Sequence, residues 1–226
     1  MKVAILGGTG KEGTGLALRW ARAGHHIVIG SRSAERATTQ ARELAARVPG
    51  ASFDGRTNDA AVREGDLVVV AVPHAGHRAL LSELSPALEG KIVLDTVVPL
   101  DFGGPRLYAP PPAGSAAEEA RAALGAGARV VAGLHALAAH ELAQLDHRLD
   151  GDVLICGDDA RAKATVSGLV ESLGVRCLDA GPLSMAPTLE GLTAVMVRLN
   201  RRYKSKSAAL RITGIESTPP GRCSST

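Results

Sequence analysis

The residues best suited to chemistry stand near the amino terminus, in Gly7-Gly8-Thr9-Gly10-Lys11-Glu12-Gly13. They contain a G-x-G-x-x-G spacing at Gly8, Gly10 and Gly13, directly after the apolar run Val3-Ala-Ile-Leu6 and before a segment of helical period. In that context Gly8 permits a tight turn, Gly10 leaves no Cβ between the backbone and a pyrophosphate, and Gly13 lets the following helix approach the strand. The helix start then presents unpaired N–H groups and a partial positive charge to phosphate oxygens, and Thr9 can add a hydroxyl donor. A glycine-rich turn without a ligand is the competing explanation. It is disfavoured by the strand before, the helix after and a second strand on schedule.

The end of that second strand selects between dinucleotides, because an NAD site places Asp or Glu there to accept from the ribose 2′-hydroxyl. Here His26-Ile-Val-Ile-Gly30 runs into Ser31-Arg32, with Arg36 four residues on. Two guanidinium groups and a hydroxyl suit a dianionic 2′-phosphate, so NADP is favoured. The alternative, two solvated arginines, sets positive charge at a helix start, which is unfavourable without an anion nearby.

In an open parallel sheet the ligand lies beyond the carboxyl ends of the strands. Val72-Pro73-His74-Ala75-Gly76-His77 and Thr96-Val97-Val98-Pro99 follow the fourth and fifth expected strands and should border the nicotinamide. His74 and His77 either contact the cofactor or cap the next helix. His135, between an expected strand and helix in the second half of the chain, is the best candidate for a substrate-contacting side chain, although a lone histidine is more often structural. Neither a His/Asp/Glu cluster at metal spacing nor a G-x-S-x-G elbow is present.

The elements that must position these residues follow from periodicity. Apolar runs at 2–6, 26–30, 51–53, 67–72 and 91–95 alternate with helical segments at 13–23, 34–47, 58–65 and 76–88, the last interrupted at Ser85-Pro86. This predicts an α/β fold, a Rossmann-type doubly wound parallel sheet. A composition break at Pro99–Gly114 separates a dinucleotide-binding part, 1–114, from a smaller α/β part, 115–213. The second part should hold strands near 129–132, 152–156 and 175–178 and helices at 115–124 and near 136–146, 159–172 and 187–203. Residues 214–226 read as a flexible tail. An apolar stripe at Leu189, Leu192, Val195, Met196 and Leu199 is either core or a homodimer face.

Composition removes other classes. Lys plus Arg is 26 against 23 Asp plus Glu, and aromatic residues are 2% of the 226 residues. That balance offers no basic surface and no stacking platform for nucleic acid. The apolar run Leu67–Pro73 is too short to cross a bilayer. Cys156, Cys177 and Cys223 form no CxxC pair, so two buried small hydrophobes and a tail thiol in a reducing, cytoplasmic setting are expected.

With those residues in place the chain resembles the NADPH-dependent coenzyme F420 reductases over roughly residues 1–213. The resemblance is carried by Val3–Gly10, Gly15-Leu-Ala-Leu18, Gly30-Ser-Arg32, Val97-Val-Pro99, Leu134-His135, Cys156-Gly-Asp-Asp159 and Leu178-Asp-Ala-Gly-Pro-Leu-Ser184. It implies hydride transfer between NADP(H) and the deazaflavin F420, with Thr9, Gly10, Lys11 and Glu12 around the pyrophosphate and Ser31, Arg32 and Arg36 on the 2′-phosphate. It further implies that Val72, Pro73, His74, Val98 and Ala139 line the nicotinamide half. His135 and Leu137 would face the deazaflavin, with Ala208 in a C-terminal segment that closes over it. Such transfer needs stacked rings and excluded water rather than a side-chain acid or nucleophile. Two other possibilities share the dinucleotide site: a reductase of another acceptor, such as a flavin, ferric complex or imine, and a non-catalytic NADP sensor.

Overall fold

The computed structural model describes residues 1–215. Lys2–Leu6 (β1), His26–Ser31 (β2), Phe53–Thr57 (β3), Leu67–Val70 (β4), Ile92–Asp95 (β5), Arg129–Gly133 (β6), Asp152–Gly157 (β7) and Arg176–Asp179 (β8) form one sheet in the order β3-β2-β1-β4-β5-β6-β7-β8. The helices are Lys11–Arg22 (α1), Ala34–Arg47 (α2), Asn58–Glu64 (α3), His74–Leu88 (α4), Ala116–Leu124 (α5), Ala139–Leu142 (α6), Ala160–Glu171 (α7) and Ala186–Arg202 (α8). Strands β1 to β6 pair in parallel, and β7 runs antiparallel to β6. The order reverses between β1 and β4, which is the switch point where such sheets bind ligands.

The sheet separates two cores. One face packs Ile5, Ile27 and Val69 against Leu16, Trp20 and Leu44 and against Val166 and Leu169 of α7. The other packs Leu6, Val68 and Val93 against α4, α5 and Leu189 of α8. Both faces are therefore covered by helices, as continuous apolar strands require. Strands from residues 1–114 and 115–213 share this sheet, since β5 pairs with β6 between Ile92–Asp95 and Arg129–Ala132. Because β7 is reversed, β7 and β8 begin at the edge where β1 to β6 end.

Three local expectations change. The third strand is Phe53–Thr57 rather than 51–53. It is an edge strand of mixed polarity, and Gly55 lets α2 come close: a Cβ there would lie 2.3 Å from the Ala37 carbonyl carbon. Helix α4 runs through Pro86 without interruption. Pro86 and Ser82, whose carbonyl loses its partner, lie on the exposed side, while Leu84 and Leu88 keep the buried stripe. The helix expected at 136–146 is reduced to the single turn α6, because its carbonyls are claimed elsewhere, as described below. Residues 216–226, with Cys223 and most of the expected tail, lie outside the described residues.

Candidate functional site

The turn after β1 has the glycine geometry expected of a phosphate cradle, with one reassignment. Gly7, not Gly8, adopts the left-handed conformation, with φ +83° and a hypothetical Cβ 2.4 Å from the Ala71 carbonyl oxygen. Gly8 instead allows contact with β2, its added Cβ meeting Ile29 Cδ1 at 2.9 Å. At Gly13 a Cβ would lie 2.6 Å from the Gly7 oxygen, so this glycine seats α1 on the turn. Gly10 differs from both: apart from the Gly7 oxygen at 3.2 Å, the space beyond it is open. Side chains of Ser33, Thr57, Ser115 and Asp159 cap α2, α3, α5 and α7, whereas α1, α4, α6 and α8 have no side-chain cap. Of the uncapped N-termini, those of α1 and α4 flank the switch point, where their N–H groups can meet an anion.

Beside this turn lies a cleft of about 360 Å³, lined by Thr9, Ser31, Arg32, Arg36, Val72 and Pro73, together with Gly7 and Asn58. Arg32 and Arg36 are exposed, and neither guanidinium pairs with a carboxylate among the described residues. Thr9, Ser31, Arg32, Arg36, Val72 and Pro73, all singled out in the sequence, thus come together in one cleft, and Asn58, which has no motif to mark it, joins them.

His74, expected on the cofactor, turns elsewhere. Its Nε2 is 3.5 Å from Glu119 Oε2, and its ring lies beside that of His77, with centroids 6.1 Å apart. His77 is fully buried, with Nε2 2.6 Å from Asp95 Oδ2 and Nδ1 3.4 Å from Glu119 Oε2. Burial alone would lower the His77 pKa, but the hydrogen bonds to Asp95 and Glu119 outweigh it and the value is raised. Asp95 ends β5 and its Oδ1 accepts from the Val97 N–H at 2.9 Å, fixing the corner before half-buried Val98. Glu12, recessed in the first turn of α1, is pushed up to about 7 by burial; the Thr96 hydroxyl opposes the shift and the Asp95 charge adds to it.

A second region on the same sheet edge is assembled from distant segments. The chain leaves β6 through Leu134, a buried non-glycine residue with φ +69°, a conformation held only where surroundings enforce it. It turns His135 inward, where both ring nitrogens are buried without a hydrogen-bond partner. Burial lowers the His135 pKa to about 4, against the attraction of Asp95. A neutral imidazole with one free donor and one free acceptor is suited to receive a polar ligand. His135 lines a recess with Leu189 and Leu192 that shares Ala136 with a larger cavity of about 720 Å³. Leu137 and Ala208 line that larger cavity from opposite segments; Ala139, the first residue of α6, is not among its lining residues.

Two ionic devices, neither anticipated from the sequence, build this wall. The buried Arg19 guanidinium donates to the carbonyls of Leu142 (3.0 Å), Glu141 (2.8 Å), Gln144 (2.7 Å) and His147 (2.9 Å). It thereby holds the end of α6 and the non-helical residues 143–147 together as a cap and accounts for the shortened helix. Gly15 admits this cap, since its Cβ would fall 2.5 Å from Leu142 Cβ. At the far side Asp152 accepts from Arg176 Nε at 2.9 Å and from the Ile212 N–H at 2.6 Å, while its own N–H donates to Leu210 O at 2.7 Å. This clamp ties the segment carrying Ala208 to the start of β7. Asp152 has a depressed pKa, chiefly through the Arg176 hydrogen bond and despite burial.

Among the described residues no group of three or more His, Cys, Asp or Glu side chains could hold a metal ion. No described helix is long and apolar enough to cross a membrane.

Comparison with known proteins adds an independent line. Residues 2–99 match the family model described as NADP oxidoreductase coenzyme F420-dependent. The chain is 38% identical to the F420-dependent NADP reductase of Methanocaldococcus jannaschii, over 96% of this chain and all of that one. It is also 38% identical to the Methanothermobacter marburgensis protein of the same name, over 95% and 99% respectively. Among solved structures it resembles a putative F420-dependent NADP reductase from Arthrobacter sp. FB24, with a TM-score of 0.79 and 29% identity, covering 94% of this chain and 99% of that one.

Proposed function

This chain belongs to the F420-dependent NADP reductase family, and we propose that its cleft brings NADP(H) and coenzyme F420 together for direct hydride exchange. The observation that carries this reading is the pairing of an open cradle at Gly10 with a second cavity lined by Leu137 and Ala208, next to the small recess of His135 and on the same sheet edge. Each half fits its substrate by an independent test: the cradle would be filled by a Cβ, and the orphaned ring nitrogens of His135 want a polar partner. Together the substrates supply a hydride donor and acceptor carbon, which react when held about 3–3.5 Å apart.

The protein's own residues bind, orient and exclude water. Thr9, Lys11, Glu12 and the α1 N-terminus hold the pyrophosphate, and Ser31, Arg32 and Arg36 the 2′-phosphate. Val72, Pro73 and Val98 form the nicotinamide floor, with Ala139 at the rear and His74 as an outer support through Glu119. His135 hydrogen-bonds the deazaflavin between Leu137 and Ala208. In this reading residues 1–114 serve the dinucleotide and 115–213 the deazaflavin. The protein works as a homodimer in the cytoplasm: Val195 and Leu199, on the outer half of the α8 stripe, are 47% and 38% exposed, and Cys156 and Cys177 are free thiols.

The test is loss of F420 absorbance on mixing with NADPH, with NADH and free FMN as controls. NADPH-specific bleaching is expected. Tight NADPH binding without bleaching would transfer the site to another acceptor or to a sensor. Light scattering of the wild type and Val195→Glu checks the dimer, which the charge should dissociate.

A further inference from the structure

The cleft beside the phosphate turn has two unlike walls. Val72, Pro73 and Leu80 line it from the side of β4 and α4, and Ser31, Arg32, Arg36 and Asn58 from the side of β2 and β3. Among the described residues no carboxylate lines it. Asn58, the half-buried first residue of α3, is the polar side chain of this wall that the dinucleotide reading leaves without a task. Capping, the usual work of an asparagine at a helix start, is done by Thr57, whose hydroxyl accepts from the Ala60 N–H at 3.4 Å. The neighbouring polar groups are matched with one another. Arg56 donates to Glu64 at 2.7 Å, Arg63 to Asp59 at 2.9 Å, and the Ser33 N–H to Ser31 Oγ at 3.3 Å. The Asn58 amide has no hydrogen-bond partner among the described residues, and it lines the cleft.

The end of β2 leaves room for this amide. A Cβ at Gly30 would lie 3.0 Å from Asn58 Oδ1 and 2.8 Å from Leu6 Cδ2, so a larger residue there would press on both. Gly30 immediately precedes Ser31 and Arg32, and Ser31 pairs with Thr57 where β2 and β3 run side by side. The Asn58 side chain is thereby set beside the residues that face the 2′-phosphate in the reading above.

We propose, on the basis of that 2′-phosphate assignment, that Asn58 is a specificity-determining residue of the dinucleotide site, its amide N–H donating to the 2′-phosphate of NADP(H). Arg32 and Arg36 are exposed, so solvent weakens their pull on an anion. They supply charge, and a half-buried amide supplies direction. The same amide can accept from the 2′-hydroxyl of NAD(H), but a hydrogen bond to a charged group is worth about twice one between neutral groups. The difference favours the phosphate. A carboxylate at this position would invert the choice, because it accepts from a hydroxyl and repels a dianion.

Calorimetric titration of the folded chain with NADP⁺, NAD⁺ and 2′-AMP tests this assignment. Asn58→Ala should weaken NADP⁺ and 2′-AMP by about tenfold and NAD⁺ by less than about threefold. Asn58→Asp, nearly the same in shape, should weaken NADP⁺ by about a hundredfold while NAD⁺ binds as tightly as before or more so, which shrinks the affinity ratio further than alanine does. A carboxylate also suits the first turn of a helix, so this variant covers a folding failure of Asn58→Ala. Equal losses of NADP⁺ and NAD⁺ in Asn58→Ala, or an unchanged ratio in Asn58→Asp, overturn the proposal, since Asn58 then serves only the start of α3. A wild type that binds NAD⁺ as tightly as NADP⁺ removes the 2′-phosphate assignment and the role of Asn58 with it. None of these titrations involves F420. Absence of F420 bleaching by the wild type would strike the hydride-exchange reading alone, and the binding ratios would still decide what Asn58 reads.

Discussion

On the dinucleotide side of the cleft, Gly7 to Gly13 form one continuous segment, and Ser31 to Arg36 follow a single helix and strand later. The opposite cavity is lined by residues from 136 to 211, and its wall is held by Arg19 reaching across more than a hundred residues to backbone carbonyls. The first region is specified by backbone: glycines where no Cβ fits, and helix ends left uncapped. The second is specified by two arginines, buried Arg19 and half-buried Arg176, and their oxygen partners. A phosphate site can be built from local geometry because the ligand is a strong anion and N–H groups suffice to hold it. A site for a broad, weakly polar ring has no such local solution, so its walls must be held by tertiary contacts.

The contrast predicts which side each substitution breaks. Gly10→Val should have the largest effect, abolishing measurable NADP(H) binding, while the thermal transition stays near wild type, because the space beyond Gly10 is open. Retained tight binding in a fluorescence titration would remove this turn from the site. Arg32→Ala with Arg36→Ala should cost about 2–5 kcal/mol of NADPH binding through lost charge-assisted contacts, with NADH binding little changed; equal losses would cancel the 2′-phosphate assignment.

Arg19→Met should reverse the pattern. Leaving four carbonyls short of a donor should destabilise the fold by about 2–3 kcal/mol in urea unfolding and weaken F420 binding more than NADPH binding. A larger loss on the NADPH side would erase the division between the regions.

Asp152→Asn should have the smallest effect, about 1–2 kcal/mol of stability. Its pH dependence has a definite sign. The folded-state pKa lies below the ordinary carboxylate value, so the Asp152 contribution is present above that ordinary value and is lost as pH falls through the folded one. Wild type and Asp152→Asn should therefore converge in stability under acid, and a gap that persists there would show that the clamp does not depend on the carboxylate charge.

The same contrast explains what could be read from the chain. The strand alternation, the G-x-G-x-x-G turn and Ser31-Arg32 are contiguous, and local periodicity reveals contiguous features. Gly7 was passed over because the motif starts the count at Gly8, although only the left-handed φ separates their tasks. Helix period over 136–146 was genuine, yet Arg19 took the carbonyls that would have sustained it, a competitor invisible in that window. Asp95 carried a faint signal, a carboxylate ending the apolar strand Ile92-Val-Leu. Glu119 carried none, since it reads as the solvated face of α5. Position on α4 alone could not tell whether His74 faces the cofactor or the α5 carboxylate.

The account's central claim is direct hydride passage across one dry cleft. It is tested by single-turnover reduction of F420 with NADPH deuterated at C4, each epimer in turn, in ordinary water. One epimer should deliver its deuterium to C5 of the deazaflavin, with a primary isotope effect on bleaching. Deuterium lost to solvent, or equal transfer from both epimers, would contradict the account.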